Sequence, residues 1–463
     1  MRALLGLAAA ATLIAGQAPA ADTLRAATDA VRDRALTDPT AYAVVESLST
    51  EVGARLAGSE AAARARDWGV AKLLGLGFSN VRIESFPLTG WSRGAESATL
   101  TAPYDAGLAI LGLGGSVPTP PEGIEAEAVV FHAYADLLAA PVGSLTGKIA
   151  IVTQPMTRTQ EGAGYGAANP MRRSGASEAA KRGAVAYLVR SLATGVSREP
   201  HTGALNYLPG VPKIPAAALS VIDAEQIDRL ARLPTPLRIR LKLASAMTPG
   251  TGWTVVGEIP GTEHPDQVIL IGGHLDSWDP GTGAIDDGAG IAIAVGAARL
   301  AGAAPHRPKR TLRVAMFGAE EMDFTNAAFT AAHVADVKNI VAIGEIDEGA
   351  DRVWSAQFPA GTTSLPEMKI LAASLTGLGI YVSPEPSRFG GSDIAGLTAA
   401  GAPLINLRQD ASRYFNWHHS SEDTLDKIDR DQLNQNVAAW AAFLYVASQT
   451  DLNLRPAPAP AHP

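Results

Sequence analysis

QVILIGGHLDSWDPGTGAIDDGAGIAIAVGAARLAG, running from Gln267 to Gly302, holds a complete strand-to-helix unit, and its reading decides the fold. The apolar run VILI leads through two glycines to His274, and the Ala-rich stretch from Ala289 to Ala301 reads as a helix. The connection between strand and helix carries Asp276, Asp286 and Asp287. Metal-ligand residue types thus stand at the carboxyl end of a buried strand, the edge at which open α/β sheets build their sites.

The same pattern repeats downstream. TLRVAMFG leads to Glu320 and Glu321, NIVAIGE leads to Asp347, and HHSSEDT carries His418 and His419. Strand and helix alternate from Val255 onward, which points to an α/β fold with a mostly parallel mixed sheet sandwiched by helices. Upstream, Asp22 to Leu76 has helical spacing and Val81 to Leu88 alternates like a strand. VPTPPEG, Val117 to Gly123, is a turn-rich break. After it KIAIVTQ, a helix near Ser177 to Arg182, VAYLVRS and LRIRLKLA outline a smaller α/β unit that TPGTGW, Thr248 to Trp253, closes. All the metal-type motifs lie beyond that unit, so it reads as an insertion. The expected division is a leader over 1–20, a catalytic domain over 21–123 and 248–454, an inserted domain over 124–247, and a disordered Pro/Ala tail over 455–463.

The leader reading rests on Arg2, an apolar run from Leu4 to Ala15, and a small-residue site at Ala18, Pro19 and Ala20. The run is too short to span a bilayer, so cleavage near Ala20 and export to the periplasm or medium are expected, with no membrane contact afterwards. At 463 residues the chain exceeds the size of one hydrophobic core, and its 47% hydrophobic content suffices for two. A net charge of -8 without a basic patch argues against nucleic acid or anionic membrane as partner. With no cysteine there is neither disulfide nor thiolate, so any zinc must be held by histidine and carboxylates.

Taken singly, the motifs are ambiguous. Alternation at the strand end sends His274 and Asp276 to one face; His274 can bind zinc, while Asp276 binds too or accepts the other ring N–H. Asp286 and Asp287 can cap the following helix, or Asp286 can bridge two cations with one oxygen to each. Glu320 and Glu321 can be solvated charges, but two-metal hydrolysis needs one carboxylate for metal and another for a proton. Asp347 alone is an ordinary loop aspartate, and either His418 or His419 can ligate. No GxSxG elbow is present, and GLGGS at Gly112 to Ser116 lacks the lysine of a phosphate loop, so serine-hydrolase and nucleotide chemistry are disfavoured.

HLDSWD, GAIDDGAG, RPKRTLRVAMFGAEE, GSDI and HHSSEDT, in this order, resemble segments of the zinc-dependent exopeptidases of the leucyl aminopeptidase and glutamate carboxypeptidase type, and most nearly their carboxypeptidase Q group. EAAKRGAVAYLVRS, PHTG and GVPKIPAAALSV resemble that group's inserted protease-associated domain. The resemblance spans about residues 40 to 450. It implies one zinc on His274, Asp286 and Asp347, and a second on Asp286, Glu321 and His419, the HSxxDT context favouring His419 over His418. It further implies Glu320 as general base, Asp276 as the partner that orients His274, a cis peptide between Asp286 and Asp287, and a homodimer. The chain departs from the family at EEMDFTNAAF, where a glycine is usual shortly after the glutamate pair; Met322, Asp323 and Phe324 put substrate preference in question.

The function so implied is hydrolysis of short peptides with free termini by a carboxypeptidase or dipeptidase, an aminopeptidase being the alternative. A single-zinc enzyme that cyclises amino-terminal glutamine conflicts with the complete second ligand set, and a metal-free receptor predicts gaps that are not there. Arg388, before GGSD, can hold a substrate carboxylate, a surface arginine being an equal reading; His201 in PHTG is the one other histidine of interest.

Overall fold

The computed structural model describes residues 21–455. The predicted leader and the tail beyond Arg455 lie outside the described residues. The main sheet has five strands in the order Ser79–Ser92, Ala246–Ile259, Arg310–Phe317, His264–His274, Ile340–Glu345. The last three run parallel, and the first two add as an antiparallel pair. The sheet is therefore mixed, with parallel strands where the site is.

These strands are apolar on both faces, as a parallel sheet covered on both sides requires. Ile269, Ile271, Leu312, Val314 and Met316 pack into the core formed with the helices Ala289–Gly302 and Arg430–Gln449. The alternate residues Val268, Leu270, Ala315, Phe317 and Ile343 pack against Phe329 and Leu397 from the helices Thr325–His333 and Ala395–Ala399. Period-two alternation thus feeds two cores, one on each face. Helix Ala289–Gly302 is apolar around its whole circumference because it lies between the sheet and Arg430–Gln449.

A second sheet of eight strands runs in the order Ala106–Leu108, Glu96–Ala102, Leu237–Leu243, Ile124–Phe131, Ile149–Val152, Ala186–Arg190, Ala216–Leu219, Ile110–Gly112. In LRIRLKL every second residue is buried, the signature of a strand covered on one side. The strands of this sheet begin at Glu96, upstream of the Val117–Gly123 break at which the sequence starts the inserted unit. Glu96–Ala102 pairs antiparallel with Leu237–Leu243, which is what draws it into the second sheet.

TPGTGW does not close that unit as a turn. It forms part of the strand Ala246–Ile259, paired with Ser79–Ser92 through partners such as Leu88 with Gly250 and Phe86 with Gly252. A paired neighbour satisfies the backbone of a segment whose composition alone reads as a break. Arg455, assigned by sequence to the tail, is anchored by its guanidinium to the carbonyls of Gly401 at 2.7 Å and Ile340 at 2.9 Å. Among the described residues no helix is long and apolar enough to cross a membrane.

Candidate metal centre

His274 is the last residue of its strand, Glu320 and Glu321 follow the strand Arg310–Phe317, and Asp347 follows Ile340–Glu345. Because these three strands are parallel neighbours, their carboxyl ends bring the side chains to one rim. Asp286 comes from the segment Ala284–Gly288 just before the helix Ala289–Gly302. His419 reaches the same point from the loop before Arg430–Gln449, with its backbone at φ 61.

Asp286 stands at the centre. Its Oδ1 lies 3.0 Å from His274 Nε2, and its Oδ2 lies 3.3 Å from His419 Nε2. On the first side Asp347 Oδ1 is 3.4 Å from His274 Nε2; on the second Glu321 Oε2 is 2.9 Å from His419 Nε2. The residues predicted as ligands therefore gather around one carboxylate, in overlapping groups that also take in Asp287 and His418. His418 is the less favourable of the histidine pair, its Nε2 being 3.6 Å from Asp286 Oδ2 while its ring stacks on His419 at 3.5 Å.

Asp287 lies close to His274 and Asp347, and the bond joining it to Asp286 is cis. Its carboxylate accepts the backbone N–H groups of His274 at 2.9 Å and of Gly290 at 3.0 Å, tying the strand end to the helix start. A Cβ on Gly273 would lie 2.3 Å from Asp287 Oδ2, so the glycine before His274 makes room for this tie.

Asp276 adjoins the His274 ring through both its main chain and its carboxylate. His274 Nδ1 has the Asp276 main-chain carbonyl at 3.0 Å and the carboxylate only at 3.7 Å, so the backbone rather than the side chain is the nearer acceptor. The carboxylate instead accepts the backbone N–H groups of Glu320 at 3.0 Å and Glu321 at 3.3 Å. It organises the turn that presents both glutamates.

The charge balance points to cations. Asp276, Asp286, Asp287 and Glu321 are all buried. Burial pushes the pKa of Glu321 well above the carboxylate range and that of Asp347 up to about 6, neighbouring carboxylates adding to both. Asp286 shows the opposite balance: burial raises its pKa, but the three imidazoles around it outweigh that and hold it low. Burial alone would lower the pKa of His274, yet Asp347 and Asp286 raise it well above its ordinary value, the mark of negative charge gathered around the ring. Asp286 Oδ2 and Glu321 Oε1 are buried without a hydrogen-bond partner, which marks open coordination positions. Burial lowers the pKa of His418 to about 3 and that of His419 well below its usual value, leaving neutral imidazoles with free lone pairs. Nitrogen and carboxylate donors without thiolate suit zinc.

The centre opens into a pocket of about 420 Å³ whose walls include Glu320, Asp347, Tyr414, Tyr165, Arg172 and Ser392. Tyr165, Arg172 and Tyr414 carry no sequence signal, whereas Ser392 lies in the GSDI segment. The Ser392 hydroxyl donates to Glu320 Oε1, and the Tyr414 hydroxyl stands 3.5 Å from Asp347 Oδ1. Arg55 donates to the carbonyls of Leu275, Thr282 and Gly283, bracing the loop between His274 and Asp286. PHTG approaches from the second sheet, Thr202 setting its carbonyl 3.3 Å from His419 Nδ1. Its neighbour His201 is buried, which lowers its pKa to about 4. Arg388 is exposed and lines no part of the pocket; the guanidinium groups there belong to Arg172 and Arg173. Asp323, from the divergent MDF segment, pairs with Arg173.

Residues 254–444 match the pattern of Peptidase family M28. The chain is 38% identical over 402 residues to carboxypeptidase Q of Mus musculus, covering 86% of this chain and 84% of that one. Human carboxypeptidase Q is 37% identical over 412 residues, 89% of this chain and 85% of its own length. Among solved structures, the peptidase M28 precursor from Shewanella amazonensis SB2B is 39% identical and superposes with a TM-score of 0.91 over 95% of this chain and all of its own. The aminopeptidase from Aneurinibacillus sp. strain AM-1, 20% identical, shares the fold at a TM-score of 0.63 over 93% of this chain and 98% of that one.

Proposed function

The chain belongs to peptidase family M28, and on that premise we propose that it is a two-zinc exopeptidase, exported, that acts on short peptides as a carboxypeptidase or dipeptidase. The observation that carries this reading is the Asp286 carboxylate, whose oxygens address His274 and His419 separately. His274, Asp286 and Asp347 would hold one ion, and Asp286, Glu321 and His419 the other. Bound there, the ions would supply Lewis-acid polarisation of the scissile carbonyl and make water acidic enough to attack near neutral pH.

The chain's own groups then have separate tasks. Glu320 takes the proton of the attacking water and returns it to the departing amine. The Ser392 hydroxyl occupies Oε1, leaving Oε2 for that transfer. Asp276 fixes the turn from which Glu320 projects, and Asp287 fixes the strand end that presents His274. The second sheet serves as an inserted protease-associated domain, taken to begin at Glu96, and supplies the wall of the pocket facing the strand ends. Its nearness to carboxypeptidase Q supports the carboxypeptidase or dipeptidase reading over the aminopeptidase one.

Glu320→Gln tests the assignment. The variant is expected to keep two zinc ions per chain by metal analysis while kcat falls by roughly 10²- to 10⁴-fold. Near-normal turnover would refute the base, one ion per chain would favour the cyclase reading, and none a binding protein.

A further inference from the structure

Resting on the peptidase reading above, we propose that Arg172 receives the free α-carboxylate of the substrate, so that the enzyme reads peptide carboxyl termini. Arg172 belongs to the helix Ala163–Arg173 of the second sheet's unit, where Tyr165, Asn169 and Arg172 recur at helical spacing and line one wall of the pocket. The residue is only 2% exposed, and among the described residues no carboxylate lies within ion-pairing distance of it. Its Nε is buried with no hydrogen-bond partner. Nη1 has His419 Nδ1 at 3.4 Å. That contact does not satisfy the guanidinium: with Nε2 of His419 facing the centre, Nδ1 carries the ring proton and directs it to the Thr202 carbonyl.

A buried guanidinium without a counter-charge is strongly unfavourable, and here it borders a cavity large enough for a short peptide. Among the described residues Arg172 and Arg173 are the only arginine or lysine residues lining that cavity. They are not equivalent: Arg173 is neutralised by Asp323, with Nη2 3.2 Å from Oδ1, whereas Arg172 is left for a ligand. Its head is held in place from two sides. The Tyr165 ring lies 5.2 Å from Cζ, and a Cβ on Gly203 would fall 2.2 Å from Nη1, so only glycine lets the PHTG loop close over it. A fixed, planar, five-donor group beside the centre matches a carboxylate held through two hydrogen bonds.

The test compares alanyl-alanine with alanyl-alaninamide on the wild type, Arg172→Gln and Arg172→Lys, with zinc content measured for each. The wild type is expected to favour the free carboxylate by roughly 10- to 100-fold in KM. Arg172→Gln should remove that preference by raising KM for alanyl-alanine about tenfold more than KM for the amide, and Arg172→Lys should restore part of it because charge remains but the planar fork is lost. Equal losses on both substrates, loss of zinc from either variant, or a wild type indifferent to the amide would overturn the proposal while the peptidase reading stands. Hydrolysis of neither substrate by zinc-loaded wild type would overturn the peptidase reading, and this one with it.

Discussion

Asp276→Asn separates the role that the sequence assigns to Asp276 from the one that the structure supports. The carboxylate accepts two backbone N–H groups, from Glu320 at 3.0 Å and Glu321 at 3.3 Å, at a site only 1% exposed. Asparagine retains one oxygen acceptor and turns an NH₂ group toward the other N–H. One charge-assisted bond worth about 1.5–3 kcal/mol is lost and the other weakens to a neutral bond of about 1 kcal/mol. The relief of no longer burying a charge offsets part of this. A net of about 2 kcal/mol falls on the turn that aims Glu320, which corresponds to roughly a 30-fold drop in kcat. Zinc affinity should change little, because the nearest acceptor for His274 Nδ1 is the Asp276 main-chain carbonyl, which the substitution leaves in place. Were the carboxylate the imidazole's acceptor, zinc affinity would fall by about 10- to 100-fold. The assay is kcat on a dipeptide at saturation beside a zinc dissociation constant from chelator competition. A kcat within about threefold of wild type, or a tenfold fall in zinc affinity, would refute the reasoning.

Two further outcomes are expected. Burial pushes the Glu84 pKa up, but His333 Nε2 at 2.8 Å and Arg82 Nε at 2.9 Å outweigh it and hold the pKa below the ordinary 4.5, so the stabilisation is complete above that value and lost as pH falls through the lower, folded one. Thermal melts should accordingly show the wild type losing its advantage over Glu84→Gln as pH falls below the ordinary glutamate value of 4.5; parallel curves would contradict this. Gly203→Ala places a Cβ 2.2 Å from Arg172 Nη1 at a residue whose φ is 132°, which costs about 1–3 kcal/mol in backbone strain and displaces the guanidinium. A lower melting temperature together with a raised KM for alanyl-alanine is expected, and an unchanged KM would show that the guanidinium is not held as described.

The features legible in the sequence were those that local periodicity and strand ends impose. An apolar run closed by His274, another closed by the glutamate pair, and a third closed by Asp347 each announce a buried strand with a polar end, and parallel neighbours bring such ends to one rim whatever the loops do. The apolar helix after Asp287 is read from its composition for the same reason. Those signals suffice for the α/β fold and for the strand-end positions of His274, Glu320, Glu321 and Asp347, while Asp286 and His419 were implied by the family resemblance.

Tertiary structure decided whatever depends on partners distant in the chain. TPGTGW reads as a break until Ser79–Ser92 pairs with it, and Glu96–Ala102 joins the second sheet only because Leu237–Leu243 lies beside it. Asp276 turns its carboxylate toward the glutamate turn while its carbonyl faces the imidazole. Ser392, Arg55, Thr202 and Arg172 reach the centre from separate segments with no shared motif. A strand's periodicity is written in neighbouring residues, but the direction of a side chain across the pocket is set by packing between segments distant in the chain, and no local pattern encodes it.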